Sequence, residues 1–276
     1  MATAAIDNDN HAMLKDALSK VPAVTLGFWI IKIFATTLGE TAGDTVTMTW
    51  LGETTSAATG WGYLIGTSIL IVPLILLVAA QIRASKFHPL LYWATIIAST
   101  TAGTTLADFF DRSLGIGYLG GSLSLFACVI ASLAVWKKVL GTVSVESVRE
   151  PKAELFYWAT ITFSQTLGTA LGDWTADSTI AGIEVGYVGG AVIFGVALAL
   201  VAALYYFTKA SRAGLFWAAF ILTRPLGATV GDFLDKPVAK GGLDLSRPVA
   251  SAALLALILA GIAVFKQQPA KAGEGH

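Results

Sequence analysis

Four aspartates recur in this chain on one register, and carboxylates are the groups in it best suited to chemistry. Asp44, Asp108, Asp173 and Asp232 each stand fifteen residues after a tryptophan: Trp29, Trp93, Trp158 and Trp217. A glycine stands ten residues after each tryptophan (Gly39, Gly103, Gly168, Gly227), and a small residue precedes each aspartate (Gly43, Ala107, Gly172, Gly231). Hard oxygen ligands repeated in this way suit Mg²⁺, Ca²⁺ or Mn²⁺. Softer ligands are scarce. The single cysteine, Cys128, lies in an apolar run, and His11, His88 and His276 lie outside such runs, so neither an intrachain disulfide nor a cysteine-based metal site is available.

The elements that must carry these groups are membrane helices. The chain has 276 residues and a mean hydropathy of +0.70, with 55% hydrophobic and 13% charged residues. A soluble domain carries about 25% charged residues. This composition excludes a soluble enzyme and a disordered chain. With a formal net charge of zero it also excludes a protein that holds nucleic acid in a basic field. Eight segments, near 22–43, 61–82, 89–108, 116–138, 153–174, 185–207, 213–233 and 247–265, are long and apolar enough to cross a hydrocarbon core of about 30 Å. Lys and Arg number 12 on the side of the termini and 4 on the other, with Lys32 and Arg224 inside spans. The expectation is a bacterial inner-membrane protein with both termini in the cytoplasm. Residues 1–21 form a polar segment without the apolar core of a cleavable signal, 22–265 a single transmembrane domain, and 266–276 a cytoplasmic tail.

The spacing also defines an internal repeat, with copies near 22–82, 86–138, 152–207 and 211–265. The second helix of a copy opens with Gly-Tyr at Gly62-Tyr63, Gly117-Tyr118 and Gly186-Tyr187, against Gly242-Leu243 in the fourth. Two spans per copy give all copies one orientation, so the repeats are parallel about an axis near the membrane normal. Copies one and three share Thr-Leu-Gly, while copies two and four share Asp-Phe-x-x-basic (Asp108 to Arg112, Asp232 to Lys236). That alternation points to a four-helix unit duplicated once. On these residues the chain resembles a bacterial membrane-protein family made of four tandem two-helix repeats of unknown function, with one tryptophan per repeat. The resemblance implies eight spans from about Pro22 to Phe265 and no particular activity.

Each tryptophan is expected near the cytoplasmic start of an odd-numbered span, anchoring it at the interface. At 1.5 Å per residue the glycines lie about 15 Å further along and the aspartates about 22 Å along. The glycines either let helices approach closely or break the odd helices near the midplane and free carbonyls for an ion. A carboxylate at such depth faces the interior or water. If the odd helices line a common axis, the four aspartates converge, and carboxylates at close quarters repel one another unless a cation neutralises them. The competing expectation is that each aspartate pairs with a loop cation such as Arg112, Lys236 or Lys240. Lys32 is expected to snorkel to the cytoplasmic interface, and Arg224, deeper in the span, needs Glu40 or an aspartate as partner. Asp111, Asp177 and Asp235, three or four residues beyond the repeated aspartates, either widen the site into a vestibule or solvate loops.

The reading is an all-α integral membrane protein: eight transmembrane helices, four parallel two-helix hairpins, odd helices inside. Its function is expected to be transport or channelling of a cation, above all a divalent metal of the Mn, Mg or Ca class. Asp44, Asp108, Asp173, Asp232 and Glu40 are the expected ligands. Thr37, Thr41, Thr101, Thr105, Thr166, Arg224, Lys32, Asp111, Asp177 and Asp235 would be auxiliary or pathway residues, and the four glycines would serve packing. The alternatives are a proton-coupled carrier of a small organic solute using the same carboxylates, or a membrane scaffold or sensor. No Gly-x-Ser-x-Gly, His-Glu-x-x-His or Gly-x-x-x-x-Gly-Lys is present, so no enzyme and no organic cofactor is expected. The expected partners are the transported cation and the bilayer.

Overall fold

The computed structural model describes residues 18–176 and 183–271. Eight long helices form there, each boundary within four residues of the apolar segments read from the sequence. They are α1 (Leu26–Asp44), α2 (Trp61–Arg83), α3 (Pro89–Asp108), α4 (Gly117–Leu140), α5 (Pro151–Ala176), α6 (Gly186–Phe207), α7 (Arg212–Asp235) and α8 (Arg247–Val264). Local chemistry sets their starts. Thr25 and Ser211 cap α1 and α7 by accepting from Phe28 N and Gly214 N, and prolines stand in the first turn of α3 and α8. α1 and α3 do not stop at their aspartates but widen into π-helical turns, Thr45–Trp50 and Phe109–Ser113.

The odd helices form a closed ring: α1 packs on α3, α3 on α5, α5 on α7, and α7 back on α1. The even helices form the outside, but each leaves its own repeat. α2 packs chiefly on α3, α4 on α5, α6 on α7, and the last, α8, on α1. The expected hairpin is therefore a unit of sequence only, because the packed pair is an outer helix with the next repeat's inner helix.

Two interlocks repeat around the ring and explain the conserved spacing within the chain. The first uses the aromatic residue that precedes each tryptophan. Phe28 stacks on Trp93 at 5.5 Å, Tyr92 on Trp158 at 5.7 Å, Tyr157 on Trp217 at 6.1 Å, and Phe216 on Trp29 at 5.8 Å. Three of the four tryptophans are buried (Trp93, Trp158, Trp217), which corrects the expectation of interfacial anchors: they join neighbouring repeats. The second interlock uses the glycine. A methyl group on Gly39 would strike Thr100, on Gly103 the Gln165–Thr166 backbone, on Gly168 Arg224, and on Gly227 Thr36. The residue met is the one seven positions after the next copy's tryptophan. Gly43 likewise faces Thr104 and Gly172 faces Ala228, one turn further on in both helices, so adjacent inner helices run parallel. The inner helices continue unbroken through all four glycines. Of the two sequence readings, close packing is the one observed.

Burial is inverted relative to a water-soluble protein. Threonines, serines and charged residues crowd the ring's interior, whereas large apolar side chains such as Ile69, Leu76, Phe126, Ile130, Val192 and Leu200 are exposed on the outer helices. Five helices, α2, α4, α6, α7 and α8, are long and apolar enough to cross a membrane. The other three, α1, α3 and α5, are inner helices whose polar residues face one another, so their hydropathy understates their surroundings. The features are those of a membrane protein.

The inner ends of the two tails, expected to be plain polar segments, pair instead as an antiparallel ribbon of β1 (Leu18–Pro22) with β2 (Pro269–Lys271). Gln267, beside β2, accepts from Trp93 Nε1 at 3.1 Å. Lys20 in β1 meets Glu154 at 2.6 Å and the carbonyl of Ile82 at 3.1 Å. The ribbon thus ties Leu18–Pro22 and Pro269–Lys271 to the tryptophan end of the ring.

Ring closure predicts that Gly227→Ala lowers the melting temperature of the detergent-purified protein, because the new methyl meets both the side chain and the backbone of Thr36. The cost should be about 1–3 kcal/mol. Gly195→Ala in α6, with open space around it, should leave the melt unchanged or raise it. Equal losses in the two variants would contradict the interlock.

Candidate cation site

Every fourth residue of the inner helices faces the ring's interior, so the charged groups stack in layers. Starting from the tryptophan end, the first charged group is Lys32. It is fully buried, with its ammonium 4.0 Å above the Phe220 ring and 3.4 Å from Thr223 Oγ1. It does not snorkel outward as expected, because the β-branched and aromatic neighbours Ile96, Ile161 and Phe220 fill its layer and hold it inside.

One turn on, Arg224 reaches across the centre of the ring. Its Nη2 donates to Glu40 Oε2 at 2.9 Å, to Thr104 Oγ1 at 2.6 Å, and to Thr169 Oγ1. One guanidinium thereby ties α1, α3 and α5 to α7. Arg224 passes over Gly168, where any other residue would block it. Of the partners the sequence left open, Glu40 or an aspartate, Glu40 is the one observed. Thr104 and Thr169 were not singled out there. The signal that finds them is a step of four residues back from Asp108 and Asp173, the same step that leads from Asp44 to Glu40. The threonines that were singled out do other work. Thr37, Thr101 and Thr166 donate to carbonyls of their own helices. Thr41 and Thr105 accept from Ser251 and Thr67 of the outer helices.

The four repeated aspartates do converge, and all are buried. They are gathered as two pairs, each around a basic residue of the chain. Arg112 Nε meets Asp108 at 2.7 Å and its Nη2 meets Asp173 at 3.1 Å. Lys236 Nζ contacts Asp44 and lies 3.0 Å from Asp232 and 3.9 Å from Asp235. Arg247 approaches Asp235 at 3.4 Å and Asp44 at 3.9 Å. The competing sequence reading, pairing with loop cations, is thus realised by Arg112 and Lys236, while Lys240 stays exposed. Asp111 and Asp235 do not solvate loops. Both are buried, Asp111 against Gly121 of α4. Asp177 lies outside the described residues.

The carboxylates outnumber their partners. Among the described residues, six buried aspartates at this end of the ring (Asp44, Asp108, Asp111, Asp173, Asp232, Asp235) share three cations, Arg112, Lys236 and Arg247. Asp44 Oδ1, Asp108 Oδ2 and both oxygens of Asp111 accept no hydrogen bond from any described residue. Buried polar atoms of this kind are rare without a bound water or ion. Glu40, Asp44 and Asp232 can each present an oxygen within 4.8 Å of the others, a spacing one metal ion can span.

The fold and site together define a pseudo-fourfold ring of membrane-type helices around a buried cluster of carboxylates. The repeat pattern of the DUF347 family, described as a Repeat of Unknown Function, matches the chain at residues 27–87, 91–142, 156–211 and 215–267, and the chain belongs to that family. No curated protein and no solved structure matches it.

The central ion pair makes a prediction independent of any cargo. Arg224→Gln or Glu40→Gln alone strands a buried charge and should cost about 3–5 kcal/mol. The double variant should regain most of that loss, because neither charge is left. A double-mutant cycle by thermal melting measures this, and additive losses would contradict direct pairing.

Proposed function

We propose that the chain is an eight-span transporter of a divalent cation, with the acidic layer of Asp44, Asp108, Asp173 and Asp232, joined by Glu40, as its binding site. The observation that carries this reading is the excess of buried carboxylates, with unpartnered oxygens, over the basic residues beside them. A scaffold would gain nothing from concentrating negative charge where each uncompensated group is costly. The outer helices present apolar faces to lipid, and the three inner helices that fall short in hydropathy are shielded by them. The surplus of Lys and Arg on the side of the termini favours a cytoplasmic location for both ends.

A carrier fits better than an open channel. Below the acidic layer the interior is filled by Arg224 with its three partners, then by Lys32, Ile96, Ile161 and Phe220, then by the tyrosine pair Tyr92 and Tyr157, whose hydroxyls are 2.7 Å apart. Ions reaching the aspartates from the far end meet a closed floor. Lys236 and Arg112 act as resident counter-ions that the cargo displaces. When it leaves, they return and keep the empty chamber neutral enough to persist. No enzymatic step and no organic cofactor enters this scheme.

Binding is tested by thermal melting across Mn²⁺, Mg²⁺, Ca²⁺, Na⁺ and K⁺, and transport by flux into proteoliposomes. An ion at 100 times its dissociation constant should stabilise by about 2.7 kcal/mol. Asp44→Asn/Asp232→Asn should abolish both the stabilisation and the flux. Lys236→Gln, which removes the resident competitor, should melt lower without metal and gain more from it. A wild type indifferent to every ion would refute the proposal.

A further inference from the structure

The pocket that holds the Lys236 ammonium is not made of oxygen alone. Its wall includes the thioether of Met48, with Sδ 3.6 Å from Nζ and the residue 5% exposed. Met48 stands four residues after Asp44, as Asp44 stands four after Glu40, so Glu40, Asp44 and Met48 form one stripe on α1 and its π-helical turn. Asp232 closes the pocket from α7. Asp44, whose Oδ2 contacts the ammonium, has its other oxygen, Oδ1, buried and accepting no hydrogen bond among the described residues. The pocket therefore combines a cation already seated in it, a spare carboxylate oxygen, and one soft donor.

The soft donor occurs only once. The residues equivalent to Met48 in the other copies are Arg112, Asp177 and Lys236. Arg112 and Lys236 are the two resident cations, so the repeats divide the labour: copies two and four supply counter-ions, and copy one supplies sulfur.

Resting on the transporter reading above, we infer that the cargo is a first-row divalent transition-metal ion, bound by Asp44, Asp232 and Glu40 with Met48 Sδ as the donor that selects it over Mg²⁺ and Ca²⁺. Mg²⁺ and Ca²⁺ take oxygen ligands and gain nothing from a thioether. First-row transition ions accept carboxylates and, increasingly from Mn²⁺ along the row, soft donors, so a mixed oxygen and sulfur set discriminates by ligand type where charge does not. Entry of the metal is an ion exchange. The ammonium of Lys236 leaves with its proton and keeps Asp235 as its neighbour, while the metal takes the oxygens of Asp44 and Asp232. No bond of the protein is made or broken.

The test compares Met48→Leu, which preserves volume and removes only the sulfur, with the wild type and with Asp44→Asn/Asp232→Asn. Dissociation constants for Mn²⁺, Cd²⁺, Mg²⁺ and Ca²⁺ are measured by calorimetry on detergent-purified protein. X-ray absorption at the cadmium edge then reports whether sulfur lies in the first coordination shell. The wild type should prefer Mn²⁺ and Cd²⁺ over Mg²⁺ and Ca²⁺ by about tenfold or more, equivalent to about 1.4 kcal/mol. Met48→Leu should lose that preference and the sulfur signal while its Mg²⁺ affinity stays unchanged. An unchanged preference in Met48→Leu, or oxygen-only coordination in the wild type, would overturn the assignment of Met48 and leave the acidic site standing, provided the double aspartate variant no longer binds. If that variant binds as well as the wild type, the acidic-site reading falls and the Met48 assignment falls with it.

Discussion

A guanidinium with no access to water governs the centre of this molecule. Arg224 can persist there only if its charge is compensated, and three other helices bring Glu40, Thr104 and Thr169 to its Nη2. That requirement fixes the rotation of all four inner helices, because each must turn the same line of residues toward the centre. Once the line is fixed, the next turn brings four carboxylates together, and the previous turns bring Lys32 and the aromatic residues. The acidic cluster and the closed packing beneath it are thus two consequences of one register. The glycines serve it as well, since Gly168 is the gap through which Arg224 reaches the axis.

Superimposed on the fourfold arrangement is a twofold one. Copies two and four carry the basic residue after the aspartate, and in the structure each binds its own aspartate and that of a neighbour: Arg112 takes Asp108 and Asp173, Lys236 takes Asp232 and Asp44. The site is consequently two half-chambers of similar design and unlike chemistry. One holds a planar, permanently charged guanidinium with fixed donors, the other a compact ammonium on a flexible stem. The second half is also the one containing the thioether of Met48.

Much of this was legible in the sequence. Membrane class, helix boundaries, the repeat, the inner position of the odd helices and the need of Arg224 for a carboxylate partner all follow from spacing and from the cost of burying charge. What was not legible shares one cause: spacing along a helix does not say which neighbour it meets. Trp93, Trp158 and Trp217 look like interfacial anchors until Phe28, Tyr92 and Tyr157 of the preceding copies are seen stacked on them. Lys32 looks able to reach the interface until Phe220 covers it. Thr105 and Thr104 are adjacent and chemically alike, yet only Thr104 faces the axis, and one residue of register decides between a contact with Thr67 and a contact with Arg224. The outer helices crossing to the next repeat left no trace in hydropathy at all.

That crossing bears on how the protein comes into being. Because α8 packs on α1, the first inner helix lacks its outer cover until the last helix has been made. A growing chain emerging from the ribosome holds Lys32, Glu40 and Asp44 in a helix with one flank bare, and their partners Phe220, Arg224 and Lys236 are all encoded in the final quarter. The ring around α1 can therefore close only once α7 and α8 have been made, and the ribbon joining Leu18–Pro22 to Pro269–Lys271 spans that closure.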